Sequence, residues 1–150
     1  MTPGEWIEHK KYILYKSGYK YQLAEGCLYQ TAVYPENDID TPYISLRKDG
    51  LLFIKNSYAW DGPSGTTIDT HSFMRGSLVH DALYQLIRTG HLDLKWREQA
   101  DKELKKICLE DGMQKWRASY VYFCVRKFAG FACLPKNRKR LQKAPKEHGN

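Results

Sequence analysis

A run of small residues opening into a helix constrains this chain more than any other stretch. It begins Tyr58-Ala-Trp-Asp-Gly-Pro-Ser-Gly65 and ends Leu78-Val-His-Asp-Ala-Leu-Tyr84. Gly62, Pro63, Ser64 and Gly65 suit tight turns, some with positive φ, in which carbonyls or amides face a ligand instead of closing a ladder. In the helix that follows, at 3.6 residues per turn, His80 and Tyr84 share a face while Asp81 looks about 100° away. Two adjacent polar groups therefore serve two directions. One arrangement that needs this is a hydrolase in which the imidazole is a general base and the neighbouring carboxylate binds a hard cation. Ca²⁺ takes six to eight oxygens, many of them backbone carbonyls, and the loop beside Asp81 is a source of them. A His-Asp pair on a mostly apolar helix also serves as a hydrogen-bonded packing feature, and these residues alone leave both readings open.

The rest of the chain divides by hydrophobic period. From His9 to Trp60, short runs rich in aromatic and β-branched residues (Tyr12–Tyr15, Tyr19–Leu23, Cys27–Tyr34, Tyr43–Leu46, Leu51–Ile54) alternate with turn signals, of which Asp49-Gly50 is the sharpest. This predicts a small antiparallel sheet or meander, its tyrosines half-buried. A helix is expected from Ser72, as N-cap, to Thr89-Gly90, with Leu78, Val79, Ala82, Leu83, Leu86 and Ile87 as its apolar face. A second runs from Asp93 to Gly112, and its oddity is Asp101, an acid abutting the stripe of Ala100 and Leu104. A third, from Met113 to about Gly130, is apolar nearly all round from Ala118 to Val125 until Arg126 and Lys127 interrupt it. It is too short to span a bilayer and reads as a buried helix against the sheet, with an interfacial face of Trp116, Tyr120, Phe123, Phe128 and Phe131 as the alternative. The expected fold class is α+β: a small N-terminal antiparallel sheet followed by a three-helix core.

At 150 residues the chain fits one domain, able to bury roughly 68–70% of its unfolded surface without staples. Residues 1–135 are expected to form it. Residues 136–150 are expected to form a basic, flexible tail; with six Lys or Arg against one Glu they carry +5 of the net +7. Lys136, Arg138, Lys139 and Arg140 there are candidate contacts for phosphate, on an anionic membrane or on nucleic acid. Cys27, Cys108, Cys124 and Cys133 make no C-x-x-C pair, so neither a zinc site nor a disulfide framework is signalled. The N-terminus lacks a basic region followed by an apolar core, and the expectation is synthesis in a host cytoplasm without a signal peptide.

Two resemblances follow from these motifs. The order Tyr58-x-x-Asp61-Gly-Pro-Ser64, Leu78-Val-His-Asp-Ala-Leu-Tyr84, Ala100-Asp101, Gly112 to Arg117 and Tyr122-x-x-x-Arg126 resembles a family of bacteriophage and prophage domains of unknown function with a T-D-x-A-S-type loop and an H-D-x-L-Y helix. That likeness covers roughly Lys11 to Gly130. The set His80-Asp81-Ala-Leu-Tyr84, Arg88-Thr-Gly90 and Ala100-Asp101-Lys-Glu-Leu104 is similar to the catalytic core of phospholipase A2, especially the disulfide-free type of parvovirus capsids. Leu104 stands where that core has an aromatic residue, and Pro63 removes an amide from the loop.

The phospholipase resemblance implies an antiparallel helix pair and a calcium-dependent ester hydrolase. His80 would deprotonate water, Asp101 would orient the imidazole, Tyr84 would hydrogen-bond Asp101, and Asp81 with Tyr58, Asp61, Gly62 and Gly65 would bind Ca²⁺. The implied partners are an anionic phospholipid surface and phage or host envelope components, reached from a virion or at the envelope. The alternative is a non-enzymatic phage virion or lysis-module protein in which the His-Asp-Tyr network is core hydrogen bonding. A nucleic-acid binder working through the tail is the less favoured third class. Oligomeric state is not legible.

Overall fold

A computed structural model of the chain describes residues 12–16, 21–60 and 71–134. The expectations placed on Asp61, Gly62, Gly65 and the tail from Lys136 onward fall outside them. The architecture is α+β, with antiparallel strands followed by three helices.

The short apolar runs form two small sheets rather than one. β1 (Tyr15–Lys16), β2 (Tyr21–Leu23) and β7 (Ala59–Trp60) make a three-stranded sheet in the order β1-β2-β7. β3 (Cys27–Gln30), β4 (Ile39–Asp40), β5 (Ile44–Leu46) and β6 (Leu51–Ile54) make a four-stranded one in the order β3-β6-β5-β4. All pairings are antiparallel. The β5–β6 hairpin closes through Arg47 to Gly50, where Gly50 has φ 88° and an added Cβ would lie 2.5 Å from the Thr31 carbonyl oxygen. β3 stops short of Tyr34 because the Thr31 hydroxyl turns the chain, donating to the Gly50 carbonyl (2.8 Å) and accepting from the Val33 amide (3.0 Å). β4 lies between the expected runs Cys27–Tyr34 and Tyr43–Leu46, in a stretch where no strand was expected.

α1 (His71–Arg88) lies over both sheets. Its Met74, Leu78, Val79, Ala82, Leu83 and Leu86 share one apolar cluster with Leu23, Val33, Ile44, Leu46, Leu52 and Ile54. Ser72 is inside the helix, one residue past its start, while Gly90 follows its end at φ 83°. A 3-10 turn (Leu94–Trp96), capped by the Asp93 carboxylate accepting from the Lys95 amide at 2.7 Å, leads into α2 (Arg97–Glu110). Arg75 reaches Asp111 and Glu110, His80 reaches Asp101 and Tyr84 reaches Arg97, so the two helices run antiparallel. They cross closely at Gly76, where a Cβ would meet Leu104 at 3.0 Å and Cys108 at 3.1 Å.

α3 (Lys115–Phe128) corrects the expectation of a buried helix against the sheet. With α1 already covering the sheets, the remaining apolar surface is the outer side of α2. α3 packs there through Ala118 and Val121, in a second cluster with Leu104, Cys108 and Met113. Its Trp116, Tyr120, Phe123 and Phe128 face outward.

Glu103 of α2 is buried and bridges helix and sheet, accepting from the Tyr29 hydroxyl (2.9 Å), the Ala32 amide (2.7 Å) and Gln99 Nε2 (3.1 Å). Removing a buried acceptor strands its donors. Glu103→Ala is expected to cost about 2–4 kcal/mol, read from urea midpoints, and Glu103→Gln, which keeps one oxygen, less. An unchanged midpoint in the alanine variant would remove this bridge from the account of how sheet and helix adhere.

Candidate active site

The antiparallel crossing of α1 and α2 sets one helical turn, His80 to Tyr84, against a single carboxylate. The two rings lie 4.0 Å apart by centroid, as residues four apart on one face should. Both reach Asp101, which is 0% exposed. His80 Nε2 is 2.7 Å from Asp101 Oδ1, and the Tyr84 hydroxyl donates to the same oxygen at 2.6 Å. Arg126 of α3 completes the group, its Nη1 donating to Asp101 Oδ2 at 2.8 Å. A buried carboxylate is costly unless paired, and this one has three donors from two other helices.

The network fixes the imidazole's tautomer. An ionised carboxylate only accepts, so the ring proton sits on Nε2 and the lone pair of neutral His80 on Nδ1. Nδ1 faces Asp81, whose Oδ1 is 3.9 Å away and whose side chain is 38% exposed. At that distance the contact is electrostatic rather than a hydrogen bond. His80, itself buried, is thus held through one ring nitrogen, while the other faces a carboxylate that is partly exposed.

Electrostatics follow the same lines. Burial opposes the imidazolium, but the hydrogen bond to Asp101 and the carboxylates of Asp81 and Asp101 outweigh it and hold the His80 pKa above the ordinary imidazole value. Burial likewise opposes the Asp101 carboxylate, and the bonds from His80, Tyr84 and Arg126 overcome it, keeping its pKa below the usual range. The Tyr84 hydroxyl, buried and donating to a carboxylate, is pushed far up and stays protonated.

Two arginines escaped the sequence reading. Arg126 pairs with Asp101, and Arg97 donates through Nε to the Tyr84 hydroxyl (3.2 Å) and through Nη2 to the carbonyls of Val125 and Arg126 (2.8 Å each), which end α3. The clue to Arg126 was available: a cation interrupts an apolar helix, and an acid interrupts the apolar stripe of another. Arg97 carried no such signal.

Of the other candidates, Tyr58 is buried, its hydroxyl donating to Gln85 Oε1 at 3.1 Å and its carbonyl accepting from the Leu23 amide at 2.8 Å. Gln85 lies one turn beyond Asp81, which puts Tyr58 along the same side of α1. Among the described residues, no group of three or more His, Cys, Asp or Glu side chains is arranged to hold a metal, and no helix is long and apolar enough to cross a membrane.

The opposed shifts make a pH prediction for stability. His80, with its pKa raised, contributes stability that is present below the unfolded value of about 6.5 and lost as pH rises through the folded one; Asp101, with its pKa lowered, contributes stability above the unfolded value of about 3.8 that is lost as pH falls through the folded one. Unfolding free energy measured in urea should therefore decline as pH rises from about 6.5 to His80's raised pKa and level off above it. His80→Gln should flatten that decline, and an identical slope in the variant would show that the histidine is not charged there.

No protein-family model, curated protein or solved structure matches this chain, so the reading of the site rests on its own geometry.

Proposed function

We propose that this chain is a hydrolase of phospholipid esters with His80 as general base. The observation that carries the reading is the division of labour on one ring: buried Asp101 holds Nε2 at 2.7 Å, leaving the Nδ1 lone pair beside the partly exposed Asp81. Nδ1 takes a proton from water as the water oxygen attacks the ester carbonyl. The tetrahedral oxyanion then collapses, the C–O bond to the alcohol breaks, and Nδ1 returns its proton to the leaving oxygen. Asp101 stabilises the transient imidazolium, and Tyr84 and Arg126 keep that carboxylate ionised and in place. Phospholipid as the substrate class, and a phage origin, come from the motif resemblances.

Calcium, where bound, would polarise the carbonyl and steady the oxyanion. Asp81, Tyr58 and the loop residues Asp61, Gly62 and Gly65 are the proposed holders. Among the described residues only Asp81 and Tyr58 belong to that set, short of the six to eight oxygens calcium takes. No step above depends on the ion.

A second reading draws on the Arg126 pair. A carboxylate accepting from three side chains and tying three helices together also describes core hydrogen bonding in a non-enzymatic virion or lysis-module protein.

Turnover separates the two. On a short-chain phospholipid with calcium present, His80→Gln should reduce the rate by roughly 10²–10⁴-fold, with a circular dichroism melt unchanged at pH above His80's raised pKa, where the imidazole is neutral and Gln can donate to Asp101 in its place. Only neutral imidazole can act as base, so kcat/KM should fall as pH drops through a pKa above 6.5. Asp101→Asn should shift that limb to lower pH. No turnover by the wild type on any phospholipid, together with a destabilised His80→Gln, would establish the structural reading instead.

A further inference from the structure

Among the described residues, exposed aromatic side chains that the site does not use gather on α3. Trp116, Tyr120 and Phe123 are 68%, 63% and 55% exposed, and with Lys127 they fall within about 60° of one another at 100° per residue. Ala118 and Val121, which hold the helix to α2, lie on the other side. The charges on this helix are all positive. α3 contains Lys115, Arg117, Arg126 and Lys127 and no acidic residue. Arg126 is engaged by Asp101, while among the described residues Lys115, Arg117 and Lys127 have no acidic partner within ion-pair distance. Lys127 Nζ instead lies 5.4 Å from the Phe123 ring centroid.

We propose that this face of α3 docks on an anionic phospholipid membrane, lying in the headgroup layer with its rings inward and its lysines and arginine against lipid phosphate. Each feature selects that occupant. Trp and Tyr are amphipathic rings suited to the boundary between headgroup and acyl chain, and a basic helix with such a face lies on a bilayer rather than across it. A second copy of the chain would bring like charges together. Single-stranded nucleic acid favours a basic groove with rings spaced for successive bases, whereas a helix face is convex. The surface extends the phospholipid part of the proposed function, and it rests on that reading only for the choice of ester, since adsorption needs no turnover.

The test is co-sedimentation of the full chain with vesicles of phosphatidylcholine, with and without phosphatidylglycerol. Binding should require the anionic lipid and weaken in high salt as the Debye length shortens. The triple variant Trp116→Ala, Tyr120→Ala, Phe123→Ala changes only exposed residues and should lower partitioning by on the order of tenfold or more. Lys115→Glu, Arg117→Glu, Lys127→Glu should lower it by roughly a hundredfold or more, each lost cation alone accounting for about fivefold. His80→Gln should bind vesicles like the wild type, so a failed hydrolase and a failed docking surface give different results. Equal binding to neutral vesicles, or anionic binding insensitive to both triple variants, would overturn the proposal. So would binding of single-stranded DNA, or concentration-dependent dimerisation, that the same substitutions abolish while vesicles show none.

Discussion

The helical half of this protein depends on one carboxylate kept charged out of water. Asp101 has no solvent contact and sits where α1, α2 and α3 meet, receiving His80 and Tyr84 from the first and Arg126 from the third. Breaking a buried pair by removing one partner typically costs about 3–5 kcal/mol, far more than a surface ion pair is worth. The helices therefore converge on the geometry that satisfies Asp101. Arg97 extends the arrangement by bonding both Tyr84 and the last carbonyls of α3, so the helix that supplies Arg126 is itself held by a neighbour of the site.

Charge balance distinguishes this network from an ordinary packed triad. Asp101 is offset by Arg126, whereas among the described residues the imidazole is the one ion-pair partner of Asp81. A proton arriving on His80 is stabilised from both ring nitrogens, which is why its pKa rises in spite of burial. That second carboxylate would also favour the imidazolium that the proposed general base forms in each turnover. Arg75, at the far end of the same helix pair, is a structural counterpart: it is buried, bonds Glu110 and Asp111 at 2.8–3.1 Å through Nε and Nη2, and has its guanidinium 5.9 Å from the centroid of the Tyr29 ring.

What could be read beforehand was whatever depends on local period. The spacing of Leu78 to Ile87 sets α1 in register, and the same period puts His80 and Tyr84 on one face, so an acid in the stripe of α2 was a natural partner. Asp49-Gly50 announced its hairpin because Gly50 needs a left-handed backbone there. What escaped depends on distant packing. An apolar run such as Ala118 to Val125 shows that a helix has apolar surface without saying which side is buried, and that was decided by α1 having already covered the sheets. The split into two sheets rests on β2 pairing with β7, nearly forty residues along, where Ala59-Trp60 is too short to announce a strand. Arg97 looked like one more charge at a helix start; only the fold brings it to Tyr84 and to the end of α3.

The separations within the network also bear on how the protein assembles. His80 and Asp101 are 21 residues apart, Tyr84 and Asp101 17, and Asp101 and Arg126 25, whereas the bridge from Tyr29 to Glu103 spans 74. Closing a loop costs entropy that grows with its length, and chains dominated by near contacts reach their native arrangement fastest. The charged crossing of the three helices therefore closes shorter loops, at lower entropic cost, than the bridge that fastens helix to sheet.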